Sequence, residues 1–175
     1  MGTDLYDFGE KVKRKREDKF RLVGMKMDYI LRKARSTDTL KIEELFVEML
    51  KAIYHRDDVK GYESGYLDKF FLGKEDWICV AECESDVVAF LSIEVYQDEG
   101  YIYLDDLSVT KEYRNRGVGT KLIHTAEKYA EEMGVTKIVL HVEKANENAH
   151  RLYSRLGYRE VTDEGSRILM SKSVK

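Results

Sequence analysis

The sequence predicts an α/β (α+β) fold: a mixed, mostly antiparallel sheet of six to seven strands flanked by helices. Three observations carry that expectation. Short apolar runs with strand character alternate with stretches whose apolar residues recur every three to four positions. Glycines or polar turn clusters close most of these runs. The 175 residues, 43% hydrophobic and 36% charged, are enough for a real core under a well-solvated surface.

Taken in order, residues 1–26 form a charged N-terminal extension, and residues 27–175 form the folded domain. Lys11-Val-Lys-Arg-Lys-Arg16 is a basic run flanked by acidic residues, which reads as a solvated tail or loosely docked helix rather than an arm for an acidic partner. Tyr29–Ala34 reads as a short strand. Asp38 resembles a helix N-cap, and Leu40, Ile42, Leu45, Phe46, Met49, Leu50 and Ile53 form an apolar stripe at helical spacing. A shorter helix is expected from Gly65 to Leu72. Trp77–Cys83 and Val87–Tyr96 read as antiparallel strands turning at Glu84-Ser-Asp86, with Tyr101–Val109 as a third.

A glycine-containing loop and a helix follow. The helix carries Leu122, Ile123, Ala126, Tyr129, Ala130 and Met133 on one side and stops near Gly134. Thr136–Glu143 reads as a strand. A helix from Asn146 carries Ala149, Leu152, Tyr153 and Leu156 on one face and ends at Gly157. Tyr158–Thr162 and Arg167–Ser173 close a hairpin across Asp163-Glu-Gly165.

Composition excludes several classes. Thirty Lys and Arg against 33 Asp and Glu leave a net charge of −3, which disfavours a nucleic-acid partner held by bulk charge. No apolar run approaches the ~18–20 residues that span a bilayer, so no membrane partner is expected. The two cysteines, Cys79 and Cys83, fit core packing in a reducing, cytoplasmic setting. His55, His124, His141 and His150 show no ligand pair at recognised spacing, so no metal is expected.

The most informative segment is Arg114-Asn-Arg-Gly117-Val-Gly119, where a strand runs into a loop and a helix starts at once. Glycine permits close approach of backbone to ligand, and the first N–H groups of a helix have no internal partner. Such an end attracts phosphate, and Arg114 and Arg116 add positive charge. A Walker loop is excluded because only Val118 separates Gly117 from Gly119. A dinucleotide fingerprint is excluded because Leu122 stands where its third glycine belongs.

The preceding strand changes parity. Ile102 and Leu104 fall on even positions, Leu107 and Val109 on odd ones, which is what a β-bulge at Asp105-Asp106 produces. A bulge there splays the strand from its neighbour and leaves backbone amides free for an extended ligand.

At these residues a resemblance becomes specific. Arg114-x-x-Gly117-x-Gly119 is similar to the Arg/Gln-x-x-Gly-x-Gly/Ala signature of the GCN5-related N-acetyltransferases (GNAT superfamily). Asn146-x-x-Ala149-x-x-Leu152-Tyr153-x-x-x-Gly157-Tyr158 resembles that family's second signature. The element order matches from Tyr29 onward. The resemblance implies a GNAT-like acyl-CoA N-acyltransferase fold that uses acetyl-CoA as cosubstrate. It implies backbone contacts from Leu107 and Val109 to the pantetheine arm, and a pyrophosphate cradle of Arg114, Asn115, Arg116, Gly117, Val118, Gly119 and Thr120. Asn146 would hold the pantetheine or simply cap its helix.

The implied reaction is direct attack of a neutral amine on a thioester, with Tyr153 at the family position of the general acid. Leu-His-Val around His141 resembles the corresponding strand of some N-terminal (RimI-like) acetyltransferases. That subgroup uses a histidine there, with a tyrosine at the place of Tyr103, to deprotonate the amine through water. Asp105 and Asp106 are rival bases, or shape the bulge. Unlike the usual N-terminal acetyltransferases, the hairpin Thr162-Asp-Glu-Gly-Ser166 is short and lacks paired tyrosines. Helical residues around Tyr54, His55 and Tyr62 to Tyr66 are expected to wall the acceptor, with Glu63 favouring a cationic amine. The acceptor would be a small amine, a lysine or a protein N-terminus. A homodimer is compatible with the sequence. The competing class is a non-catalytic CoA-binding regulatory module.

Overall fold

The computed structural model describes residues 29–174; the basic run Lys11–Arg16 lies outside them. Among the described residues, seven strands form one sheet in the order β1-β2-β3-β4-β5-β7-β6. They are β1 (Ile30–Lys33), β2 (Trp77–Cys83), β3 (Asp86–Tyr96), β4 (Tyr101–Val109), β5 (Lys137–Glu143), β6 (Arg159–Asp163) and β7 (Arg167–Ser173). All neighbours are antiparallel except β4 and β5. The helices are α1 (Thr39–Tyr54), α2 (Asp68–Leu72), α3 (Val118–Glu132) and α4 (Glu147–Arg155).

Strand alternation produces two cores. Ile42, Leu45, Leu67 and Phe70 of the α1–α2 region close over Ile78, Val80, Val87 and Phe90. On the other side, Leu122, Ile123, Ala126 and Ala130 of α3 and Tyr153 of α4 cover Leu91, Ile93, Ile102, Leu104, Ile138 and Leu140. Cys79 and Cys83 are free and buried in this second cluster, as core packing requires. β6 is exposed at every residue, an edge strand kept polar by Arg159, Glu160 and Asp163.

Several local expectations shift. Asp38 does not cap α1 with its side chain. A 3-10 turn over Ser36–Asp38 precedes the helix. The Asp38 carboxylate accepts instead from Arg32 (2.7 and 3.0 Å) and from the Arg35 amide (2.7 Å). Leu40, placed in the apolar stripe by spacing, is 75% exposed, whereas Ile42 and Leu45 of the same stripe are buried. The second helix is one turn shorter than expected, since residues 64–67 form turns, with Gly65 in the left-handed region.

The feature that positions the site is the β4–β5 pair. Their register runs from Tyr101 opposite Lys137 to Leu104 opposite Leu140, and there it stops. Beyond that point β4 stays on β3, with Leu107 opposite Leu91 and Val109 opposite Ala89. β5 stays on β7 as far as Glu143 opposite Arg167. Each strand keeps its outer partner, so the two diverge. The cause is the bulge: between Leu91 and Ile93 only Ser92 faces both Asp105 and Asp106. An extra residue increases local twist and bends the bulged strand away.

Candidate active site

The loop following β4 meets the open end of this splay. Gly117 has φ +78 and is the N-cap of α3, a conformation that a β-carbon disfavours even though nothing crowds the position. Residues 114–117 are exposed. The N–H groups of Val118, Gly119 and Thr120, in the first turn of α3, have no intrahelical acceptor. Gly119 sits where three elements converge. A methyl in place of its hydrogen would lie 3.5 Å from Leu152 of α4 and 3.8 Å from both Leu107 and Val109 of β4.

The two arginines part company. Arg114 donates from Nε to the Val109 carbonyl (2.8 Å) and from its guanidinium to Glu48 of α1 (3.0 Å), so it braces the loop against β4 and α1. Asn115, in the left-handed region, and Arg116 are solvent-facing. Asn146 acts as the N-cap of α4, accepting from the Ala149 amide at 3.2 Å.

On the α1–α2 side of the splay, polar groups gather. The Tyr103 hydroxyl and His141 Nδ1 are 2.9 Å apart, bridging β4 and β5 at the point where they separate. From the opposite side of the sheet, Tyr153 is buried on α4, its ring edge-on to Tyr158 at 5.7 Å. Burial pushes its hydroxyl well above the ordinary tyrosine range, with Asp106 and Tyr103 near enough to add to the effect. Burial likewise pushes Tyr103 up to about 12. Both phenols are therefore protonated at neutral pH.

The bulge carboxylates are each claimed by a tyrosine: Tyr62 donates to Asp106 and Tyr66 to Asp105, both at 2.7 Å. Burial, then the Asp105 charge, pushes the Asp106 carboxyl up to about 7, while the Tyr62 hydrogen bond pulls the other way. Burial raises Asp105 as well. Phe46, Tyr62 and Tyr66 stack in series, with centroids 3.8 and 4.9 Å apart. Tyr62 belongs to an irregular loop and Tyr66 to a turn rather than to a helix. Lys69 completes the wall, donating to Glu94 at 2.6 Å over the Tyr66 ring.

Two residues that the sequence did not single out stand here. Glu94 comes from β3, and Glu164 from the last hairpin lies 3.2 Å from His141 Nε2. No local pattern marks either. A cleft of about 380 Å³ leads away from Tyr103 and His141 between Tyr96, Tyr101 and Leu169.

An unpaired stretch of β4 offers main-chain groups to an extended arm, and a glycine loop at a helix start offers amides to a diphosphate. That combination fits coenzyme A and defines an acyl-CoA-using transferase. The chain belongs to the acetyltransferase (GNAT) family, whose model matches residues 27–158. It is 34% identical over 132 residues to an uncharacterized N-acetyltransferase of Methanocaldococcus jannaschii, covering 75% of this chain and 78% of that protein. In fold it is similar to the PaiA N-acetyltransferase from Thermoplasma acidophilum in complex with coenzyme A, with a TM-score of 0.70, 19% identity, and 84% and 99% of the two chains covered. It also resembles the ribosomal-protein-S18-alanine N-acetyltransferase of Escherichia coli, with a TM-score of 0.67, 18% identity, and 85% and 95% covered. The protein is an acetyl-CoA-dependent acetyltransferase.

Proposed function

We propose that this acetyltransferase modifies a primary amine by direct attack, with Tyr103 and His141 removing the amine's proton and Tyr153 as general acid. The single observation that carries the reading is the 2.9 Å contact between Tyr103 and His141 at the fork of β4 and β5. Bound acetyl-CoA supplies the thioester. Leu107, Val109 and the backbone amides of residues 115–120 hold the coenzyme, while Arg114 stiffens the loop and Asn146 fixes the start of α4.

An α-amine has a pKa of about 8 and a lysine amine about 10, so the acceptor arrives as an ammonium ion. Its first proton passes through water to the Tyr103 hydroxyl as Tyr103 hands its own to His141 Nδ1. Attack by the neutral nitrogen forms the C–N bond and breaks the C–S bond. Tyr153 gives its proton to the departing thiolate and recovers one from the new amide nitrogen. Asp105, Asp106 and Glu94 against Lys69 leave the acceptor side net negative, which supports a small amine, a lysine or a protein N-terminus as acceptor. The free buried cysteines suit a reducing compartment such as the cytoplasm.

A second reading makes Asp106 the base, favoured by a carboxyl held near 7. Thiol release with a panel of amines and peptides, with products identified by mass spectrometry, tests the reaction. Turnover with no amine class overturns it. His141→Ala reduces kcat about 100-fold if the histidine accepts the proton, and hardly at all if Asp106 does.

A further inference from the structure

We propose that Glu164, at the tip of the β6–β7 hairpin, is the positioning residue for His141, selecting the tautomer that lets the imidazole accept a proton from Tyr103. The inference rests on the reading of His141 as the proton acceptor.

The two ring nitrogens face different partners. Nδ1 meets the Tyr103 hydroxyl at 2.9 Å. Nε2 is buried and has no aligned hydrogen-bond partner among the described residues; the Glu164 carboxylate stands 3.2 Å away, off the line of the bond. If Nε2 carried the lone pair, it would confront a carboxylate. If it carries the proton, a small turn of the Glu164 side chain completes the bond and gives a buried donor its partner. The charge thus favours Nε2–H. Nδ1 is then the acceptor, and the Tyr103 hydroxyl must donate to it. One ring nitrogen's partner sets the protonation of the other.

The hairpin is built to keep Glu164 there. Lys144, just past β5, donates from its side chain to Asp163 at 2.7 Å and from its amide to the Ser166 carbonyl at 2.8 Å. Asp163 accepts from the Gly165 amide at 3.0 Å, and the Glu164 amide donates to the Arg167 carbonyl at 2.9 Å. Arg167 Nε donates at 3.0 Å to Glu164 Oε2, the same oxygen that faces the ring. His141 and Arg167 together hold that carboxyl below the usual range, so it stays ionised through neutral pH. Of the titratable groups, Tyr103 from β4 and Glu164 from the hairpin meet the imidazole directly, Arg167 from β7 acts on it through Glu164, and Tyr96, Tyr101 and Lys137 line the same cleft.

The test is the long-range 15N–1H NMR spectrum of His141 in the full-length protein, run beside steady-state kinetics. In the wild type the neutral ring is the Nε2–H form. Glu164→Ala gives a mixture of tautomers and a roughly tenfold lower kcat, with KM for acetyl-CoA and amine within twofold. Glu164→Gln, which keeps an acceptor oxygen but no charge, restores the Nε2–H form and part of the lost kcat. A purely structural role leaves the tautomer unchanged. The proposal is overturned if His141 has the same tautomer in wild type and Glu164→Ala, or if Glu164→Ala keeps kcat within twofold. Full activity in His141→Ala would instead remove the histidine from the reaction, an outcome the tautomer spectrum reports separately.

Discussion

The Tyr62 hydroxyl donates to Asp106 Oδ2 at 2.7 Å, joining a segment before α2 to the bulge of β4 across 44 residues of sequence. This bond and burial act in opposite directions on the same carboxyl, and burial prevails, leaving it near 7. In the unfolded chain an aspartate titrates at about 3.9. A carboxyl whose folded pKa is the higher one stabilises the fold below the unfolded value. That contribution is lost as pH rises through the window from about 4 to 7. Asp106→Asn keeps an oxygen acceptor for Tyr62 and carries no charge. The variant should therefore be more stable than wild type at pH 8, by an amount of order 1–3 kcal/mol, with no gain at pH 4. Urea unfolding at the two pH values measures this; an equal effect at both would contradict it.

Tyr153→Phe keeps the ring against Tyr158 and removes only the hydroxyl. The expected result is a kcat lower by roughly 100-fold or more, with coenzyme affinity by calorimetry within about threefold of wild type. A parallel loss of affinity would mean that the hydroxyl binds rather than protonates.

The two glycines of the loop should respond differently to alanine. Gly117 is held at φ +78, so Gly117→Ala carries a conformational penalty of about 1–2 kcal/mol and weakens coenzyme binding. At Gly119 a methyl meets its neighbours at ordinary contact distance, 3.5 Å or more, so Gly119→Ala should fold and bind almost as wild type does. Melting temperatures and coenzyme dissociation constants of the pair decide the matter.

Arg32 of β1 is mostly buried between Asp38 and Glu82, and its removal strands both carboxylates. Arg32→Met should destabilise the protein by about 2–4 kcal/mol near neutral pH. The Arg32 hydrogen bond holds the Asp38 carboxyl below its ordinary value despite the opposing effect of burial. The stabilisation linked to Asp38 is therefore present above about pH 4 and disappears as pH falls through the depressed value. The difference between wild type and variant should shrink accordingly in acid, which denaturant titrations at pH 7 and pH 3 check.

Much of this molecule is legible one element at a time. Near-continuous apolar runs mark β2 and β3, alternation marks β5, and the change of parity between Leu104 and Leu107 reveals the bulge without any knowledge of its partner strand. Left-handed glycines at positions 117, 134 and 157 mark helix boundaries because few other residues adopt that backbone cheaply. Such signals are short-ranged: propensity, periodicity and turn chemistry act over a few residues, and the sequence records them directly. Asp38 does stand at the N-cap position of α1, but its carboxylate turns to Arg32, a partner that no local pattern names.

Tertiary structure decided what those elements do to one another. Tyr62 and Tyr66 reach the bulge carboxylates, Arg114 turns to Glu48 and Val109, and Glu164 arrives beside His141, because the sheet order brings distant segments together. Coulombic and desolvation effects depend on those distances and on burial, which no local pattern encodes. The sequence alone established most of the strands and turns and where the glycine loop before α3 lies. Packing alone determined which protons the site holds at neutral pH.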